Sequence, residues 1–175
     1  VSVAPWTLPS HVTMLTGLYP ETHGLSTSRR ARIGSELPTL QKILRGEGYF
    51  TAAFTGGGYV SRRYGFDNHF DHYVQTDDFK NSVESDLGSA LKLARLKLES
   101  GTGDKPFFFF IHGYDVHCPY GEKPPYDQAF KSVDAAYVDP ERCGDAFYNK
   151  AALTSQQAAF LSDQYDGSIK RVDDL

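Results

Sequence analysis

Pro106-Phe107-Phe108-Phe109-Phe110-Ile111 is a continuous apolar run of strand length. A strand with one wet face alternates apolar and polar residues; an unbroken run is the pattern of a strand covered on both faces. Covering a sheet twice takes helices, and the chain supplies them. Leu40, Ile43 and Leu44 lie at helical spacing within Leu37–Arg45, and Gly46 and Gly48 mark the stop. Tyr49 to Thr55 follows as a strand rich in aromatic and β-branched residues. Val83, Leu87, Leu91, Ala94 and Leu98 form a second helical stripe, which predicts a helix over about 81–98. Thr154-Ser155-Gln156-Gln157 matches a capping box, and Leu161, Tyr165, Ile169 and Val172 continue it as a third. Helices alternating with strands predict an α/β fold, a largely parallel mixed sheet flanked by helices.

Size and charge narrow what such a fold can do. A chain of 175 residues with 40% hydrophobic residues can bury one core, and no repeat or linker divides it, so 1–175 reads as one domain. A net charge of −4 gives no electrostatic footprint for nucleic acid. The run 107–111 is far too short to span a bilayer. Cys118 and Cys143 are too few for a disulfide framework, and whether they bridge each other stays open. The sequence starts at Val1 without Met or a signal-like segment, which predicts a piece of a longer protein.

The first chemical stretch is Ala4-Pro5-Trp6-Thr7-Leu8-Pro9-Ser10-His11-Val12-Thr13-Met14-Leu15-Thr16-Gly17-Leu18-Tyr19-Pro20. Pro9 suits a first helical turn, where its missing N–H costs nothing. That places Thr7 at or next to the N-cap and makes Gly17 the stop. A helix start is also an anion site, because free N–H groups and the macrodipole converge there. A hydroxyl beside that pole can attack an anionic ester; on spacing alone, Thr7 as a simple cap is the stronger reading.

The second stretch leaves the apolar strand: His112-Gly113-Tyr114-Asp115-Val116-His117-Cys118-Pro119-Tyr120. Ligands of open α/β sheets sit beyond the carboxyl ends of strands, where this cluster falls. His112 and His117 can donate to an anionic ester or leaving oxygen, and Asp115 can orient one of them. Elsewhere the bland readings prevail. Gly56-Gly57-Gly58 lacks the lysine of a P-loop and reads as backbone accommodation at a strand end. His69, His72, Asp67 and Asp71 in the aromatic stretch 64–73 invite a metal, but a loop does not make ligands converge, so the stretch reads as structural. Lys123, Lys131 and Arg142 are candidate anion contacts in a region of little periodicity, though scattered cations are usually solvated surface.

Thr7-Leu8-Pro9-Ser10-His11, then Leu15-Thr16-Gly17-Leu18-Tyr19-Pro20 and His23-Gly24, resembles the signature of the sulfatase family within the alkaline phosphatase superfamily. Gly65-Phe66-Asp67, the strand ending in His112-x-x-Asp115-x-His117-x-Pro119-Tyr120, and Tyr165-Asp166 to Asp173 carry the resemblance along nearly the whole chain. It implies an alkaline-phosphatase-like fold and a metal-dependent ester hydrolase acting on small-molecule or glycan sulfate or phosphate esters, with no nucleic-acid partner and no membrane segment in this piece. Family sulfatases carry Cys or Ser, oxidised to formylglycine, where this chain has Thr7, and Arg where it has His11. Thr cannot give the aldehyde, and phosphate-handling members use an unmodified Thr there. The resemblance therefore implies Thr7 as nucleophile and possible shared metal ligand, His117 on the substrate oxyanion, and His11, His112 and Asp115 as substrate-binding support. It also implies a divalent metal (Ca, Mg, Mn or Zn) held by carboxylate pairs that would lie before and after this stretch, so that the chain alone is expected to be inactive. A phospho-group transferase, or a silent binding protein keeping the fold, is the alternative. The family leans towards an extracytoplasmic setting.

Overall fold

The computed structural model describes residues 2–27, 31–76, 86–132, 134–139, 142–144 and 152–175. They group into two compact units, Val1–Gly113 and Tyr114–Leu175.

The first unit is built on β1 (Phe50–Thr55), β2 (His72–Gln75) and β3 (Phe107–His112). Both outer strands pair parallel to β1, in the order β2-β1-β3, with Ala52 beside His72 and Thr55 beside His112. This is the expected open parallel sheet flanked by helices: α1 (Thr7–Thr16), α2 (Pro20–His23), α3 (Leu40–Gly46) and α4 (Leu87–Glu99). The pleat sends successive side chains to opposite faces. Ala53, Phe108 and Phe110 meet Leu8, Val12 and Leu15 of α1 together with Phe66, Phe70 and Tyr73. Ala52, Phe54, Phe109 and Ile111 meet Ala90 and Ala94 of α4 on the other face. Two alanines turned inward let α4 lie close over large phenylalanines. Phe54, 1% exposed, is with Phe66 the largest fully buried side chain among the described residues, and its burial contributes about 2 kcal/mol.

The strand buried along nearly its whole length, from Thr51 to Thr55, is β1 rather than the apolar run. β3 is only half-buried, and Phe107 is exposed. β1 has a strand on each side, whereas β3 is paired on one side among the described residues. Composition marks β3 as fit for burial; topology gives the central place to β1.

The helical stripes locate helices better than they orient them. In α3 the stripe residue Ile43 is 56% exposed while Gln41 is 1% exposed, its Nε2 donating to the Asn68 carbonyl at 3.2 Å. The 64–73 segment against α3 offers a backbone acceptor there, and an amide satisfies it where a leucine cannot. α4 begins at Leu87 because the Asp86 carboxylate accepts from Ser89 N–H at 2.5 Å. The earlier part of the expected helix, 81–85 with Val83, lies outside the described residues.

The aromatic stretch is structural, as expected. Tyr64, Phe66, Phe70 and Tyr73 all enter the core. Asp71 accepts from the Thr51 N–H (2.9 Å) and hydroxyl (3.1 Å) and pairs with Arg45 (2.9 Å). His69 Nε2 donates to the Ser35 carbonyl at 2.8 Å. The glycine run also behaves as read: the Gly56 N–H extends the pairing to His112 O at 3.0 Å, then Gly57 and Gly58 turn away at positive φ.

The second unit is organised by α5 (Ser155–Asp173), whose capping box is formed on both sides, Gln157 N to Thr154 Oγ1 at 3.2 Å and Thr154 N to Gln157 Oε1 at 3.0 Å. Its buried face is Leu161, Gln164, Gly167 and Ser168, while the stripe residues Tyr165 and Ile169 are exposed. Gly167 is required there, since a Cβ would sit 2.4 Å from the Tyr126 carbonyl oxygen. Cys118 and Cys143 form a disulfide, Cα atoms 6.1 Å apart, which closes the question the sequence leaves open. Val138, Cys143 and Leu161 make a small cluster around it.

Candidate active site

In the first unit, α1 is pinned to the sheet by Leu8, Pro9, Val12 and Leu15. Trp6, in extended conformation, is the N-cap and provides no side-chain cap; Thr7 is the first helical residue. The Thr7 hydroxyl makes no hydrogen bond among the described residues. A capping threonine would spend its oxygen on the helix N–H groups, and Thr7 keeps it available. Gly17 (φ +70°) ends the helix where expected.

One turn on, His11 Nδ1 lies 2.8 Å from the Thr7 carbonyl. A carbonyl only accepts, so Nδ1 carries the proton and the neutral ring keeps Nε2 as an acceptor. Burial lowers the His11 pKa, and the bond to the Thr7 carbonyl raises it by less. The neutral ring therefore dominates at pH 7, and donation to an anion from Nε2 requires the imidazolium. The His112 ring meets His11 edge to face at 5.0 Å, and Phe110 stands 6.3 Å from the same ring. β3 thus delivers His112 to the helix that carries Thr7, and Thr7, His11 and His112 come together in one unit.

His23 has a role that the sequence reading did not assign. Leu25 N–H donates to its Nδ1 (3.0 Å), so Nε2–H faces the Thr13 hydroxyl (3.3 Å) and ties α2 to α1. Its only sequence signal is its place in the His23-Gly24 pair.

His117 belongs to the second unit. Its N–H closes a turn onto the Tyr114 carbonyl at 2.9 Å, its ring lies edge-on to Tyr114 at 5.6 Å, and Nδ1 donates to the Cys118 carbonyl at 2.5 Å. The ring is exposed. Within the turn, the Asp115 side chain is 2% exposed and accepts from Arg171 Nη2 at 2.6 Å. Arg171 Nε donates to Glu122 at 2.9 Å. Burial opposes the guanidinium charge, but the two carboxylates outweigh it and the Arg171 pKa is raised. Arg171 is the residue that sequence reasoning missed; it follows Gln164 and Ser168 on the inward face of α5, a spacing that points it away from water.

Lys123 and Lys131 are exposed, and Arg142 is half-buried. Lys131 lines a cavity of about 460 Å³ with Asp127, Gln128, Asp163 and Gln164. Those groups are largely engaged internally: Asp163 holds Ser132 N (2.6 Å) and Oγ (2.9 Å), Gln164 donates to Asp127 O (3.1 Å), and Gln128 to Asp127 Oδ2 (3.1 Å). Few polar groups are left to converge on a ligand.

Among the described residues, no group of three or more His, Cys, Asp or Glu side chains could hold a metal ion. Thr7 offers one oxygen, so the donors present do not make up a divalent site. No described helix is long and apolar enough to cross a membrane.

The family model described as Sulfatase matches residues 1–175. No curated protein matches the sequence. Among solved structures, the chain is similar to the phosphonate monoester hydrolase of Agrobacterium radiobacter, with a TM-score of 0.65, 14% identity, and coverage of 99% of this chain and 49% of that one. The lipoteichoic acid synthase LtaP of Listeria monocytogenes is similar at a TM-score of 0.56 and 18% identity, over 98% of this chain and 41% of that one. A protein solved in complex with its substrate D-glucosamine-2-N,6-O-disulfate matches at a TM-score of 0.51 and 14% identity, over 99% of this chain and 46% of that one. At these identities the likeness is one of fold. The chain spans about half the length of the structures it matches. Matched along its whole length, and with the alkaline-phosphatase-like sheet in place, the chain belongs to the sulfatase family.

Proposed function

We propose that this sulfatase-family protein hydrolyses phosphate or sulfate esters with Thr7 as an unmodified nucleophile, and favours phosphate esters. The observation that carries the reading is the Thr7 hydroxyl: first in α1, beside the positive end of the helix, and not used as a cap. Thr7 Oγ1 gives up its proton and bonds to the phosphorus or sulfur as the bond to the leaving oxygen breaks, that oxygen taking up a proton to depart as the alcohol. Water then cleaves the Thr7 ester, restoring the Thr7 hydroxyl and releasing phosphate or sulfate. A formylglycine hydrate expels sulfate by collapsing to an aldehyde. A threonine ester has no such route, so a sulfated Thr7 turns over slowly and a phosphorylated one is the better intermediate.

In this reading His117 contacts the oxyanion, His11 and His112 line the anion site, and Asp115 supports the turn of His117. Residues 1–175 form part of a catalytic domain. A divalent metal belongs to the family's chemistry, but the described donors do not form its site. A substrate with a sugar leaving group is in keeping with the fold's use by a protein that binds a sulfated glucosamine. The Cys118–Cys143 disulfide supports an extracytoplasmic setting, because such bonds persist where the environment is oxidising.

The test is the full-length protein with matched aryl phosphate and aryl sulfate in the presence of each divalent ion. The reading expects kcat/KM for the phosphate to exceed that for the sulfate, and faster sulfate turnover contradicts it. An added alcohol separates hydrolase from transferase: if the group passes to the alcohol rather than to water, the transferase alternative holds. The 175-residue chain alone is expected to show no turnover.

A further inference from the structure

We infer that Arg171 is a positioning residue for His117, acting through the carboxylates of Asp115 and Glu122. The inference rests on the reading above that His117 contacts the substrate oxyanion. His117 sits in a turn closed by its N–H on the Tyr114 carbonyl at 2.9 Å. Left alone, such a turn on an exposed stretch would sample many conformations. Two fastenings bracket it. On one side Asp115, two residues before His117, is buried and held by Arg171 at 2.6 Å. On the other, Cys118 is bonded to Cys143. Arg171 also reaches Glu122 at 2.9 Å, so a single guanidinium gathers both ends of the 115–122 segment. Its planar fork suits two carboxylates at once, which a lysine cannot reproduce. Arg171 itself lies on α5, whose inward face is locked by the contact of Gly167 with the Tyr126 carbonyl and by Gln164 with Asp127. The anchor is therefore a rigid helix, and the thing anchored is the backbone on either side of the histidine.

The experiment uses the full-length protein with Arg171→Lys and Arg171→Met, each also combined with His117→Ala. Arg171→Met leaves a buried carboxylate and could fail to fold, so the paired variant Asp115→Asn with Arg171→Gln is made alongside it. Arg171→Met is expected to lower kcat/KM about 10- to 100-fold, as supporting residues do, with Arg171→Lys recovering part of the loss. In the His117→Ala background the same change is expected to cost less than about 3-fold, since residues acting through one group are not additive. Equal losses in both backgrounds would make Arg171 a general structural residue and overturn the inference. A readout without substrate is the His117 ring resonance, expected as one sharp line in the parent and shifted or broadened in Arg171→Met and in the paired variant. If the parent protein turns over no ester, the proposed function fails while this resonance still decides the positioning; an unchanged His117 line overturns it.

Discussion

The two units hold their chemistry in different ways. In 1–113, Thr7, His11 and His112 stand on an apolar platform: Leu8, Val12 and Leu15 press α1 onto a sheet whose central strand is almost wholly buried. In 114–175 the turn of His117 is held by Arg171 to Asp115 and Glu122 and by one disulfide, while Ser132 to Asp163 and Gln164 to Asp127 tie α5 to its neighbours. Packing is non-directional and spread over many contacts, so a site placed by it degrades in proportion to volume lost. Ties are directional and few, so a site placed by them fails when one partner is removed. The same chain thus uses bulk to place the Thr7 hydroxyl and fastening to hold the turn of His117.

Chemistry can be separated from platform most sharply at Thr7. Thr7→Ala is expected to lower kcat by on the order of 10³-fold or more while leaving the urea midpoint within experimental error, because no hydrogen bond among the described residues is lost. Near-intact turnover would return Thr7 to the role of a helix-start residue. The platform is tested next: Phe54→Ala should cost about 3–5 kcal/mol in denaturant unfolding, and a loss below about 1 kcal/mol would mean the sheet does not carry the unit. For the fastened unit, Cys118→Ser with Cys143→Ser opens a loop of sequence separation 25, expected to cost about 3 kcal/mol and to raise KM with little change in the Thr7 chemistry. If the disulfide loss lowers kcat as strongly as Thr7→Ala does, the contrast between the regions collapses.

The smallest effect is one of pH. Burial lowers the His11 pKa in the folded chain, while the unfolded chain titrates near the ordinary value of about 6.5. Between the two values the unfolded state binds more protons, so stability rises with pH and is lost as pH falls through about 6.5 towards the folded value. His11→Gln should flatten that part of a urea-midpoint profile; an unchanged slope would mean His11 is not desolvated.

What could be read from the sequence follows the same division. The helices at 37–45 and 154–173, the strands at 49–55 and 106–111, Gly17 and the glycine run at 56–58 are all announced by propensity and periodicity, which are local. Which strand is central is not local: β3 is the more apolar, yet among the described residues β1 gets the middle position from pairing. Nor is the inward face of a helix legible where polar residues fill it. Gln41 is buried because Asn68 offers a carbonyl, and Gln164, Gly167 and Ser168 are buried because Tyr126 and Asp127 come close. In both helices an exposed isoleucine, Ile43 or Ile169, marked the stripe and misled about the face. Thr7, His11 and His112 were singled out from sequence and stand together, whereas Arg171 was not, since an arginine near a helix end reads as an ordinary surface cation until Asp115 is seen beneath it.

The most direct measurement is peptide mass spectrometry of the full-length protein, before and after rapid quenching with a phosphate ester. The account predicts that residue 7 is an unmodified threonine before substrate is added, and that the peptide carrying it gains the mass of one phosphoryl group during turnover, with the gain abolished in Thr7→Ala. Robust turnover with no label at Thr7, or a label on another residue that survives Thr7→Ala, would contradict it.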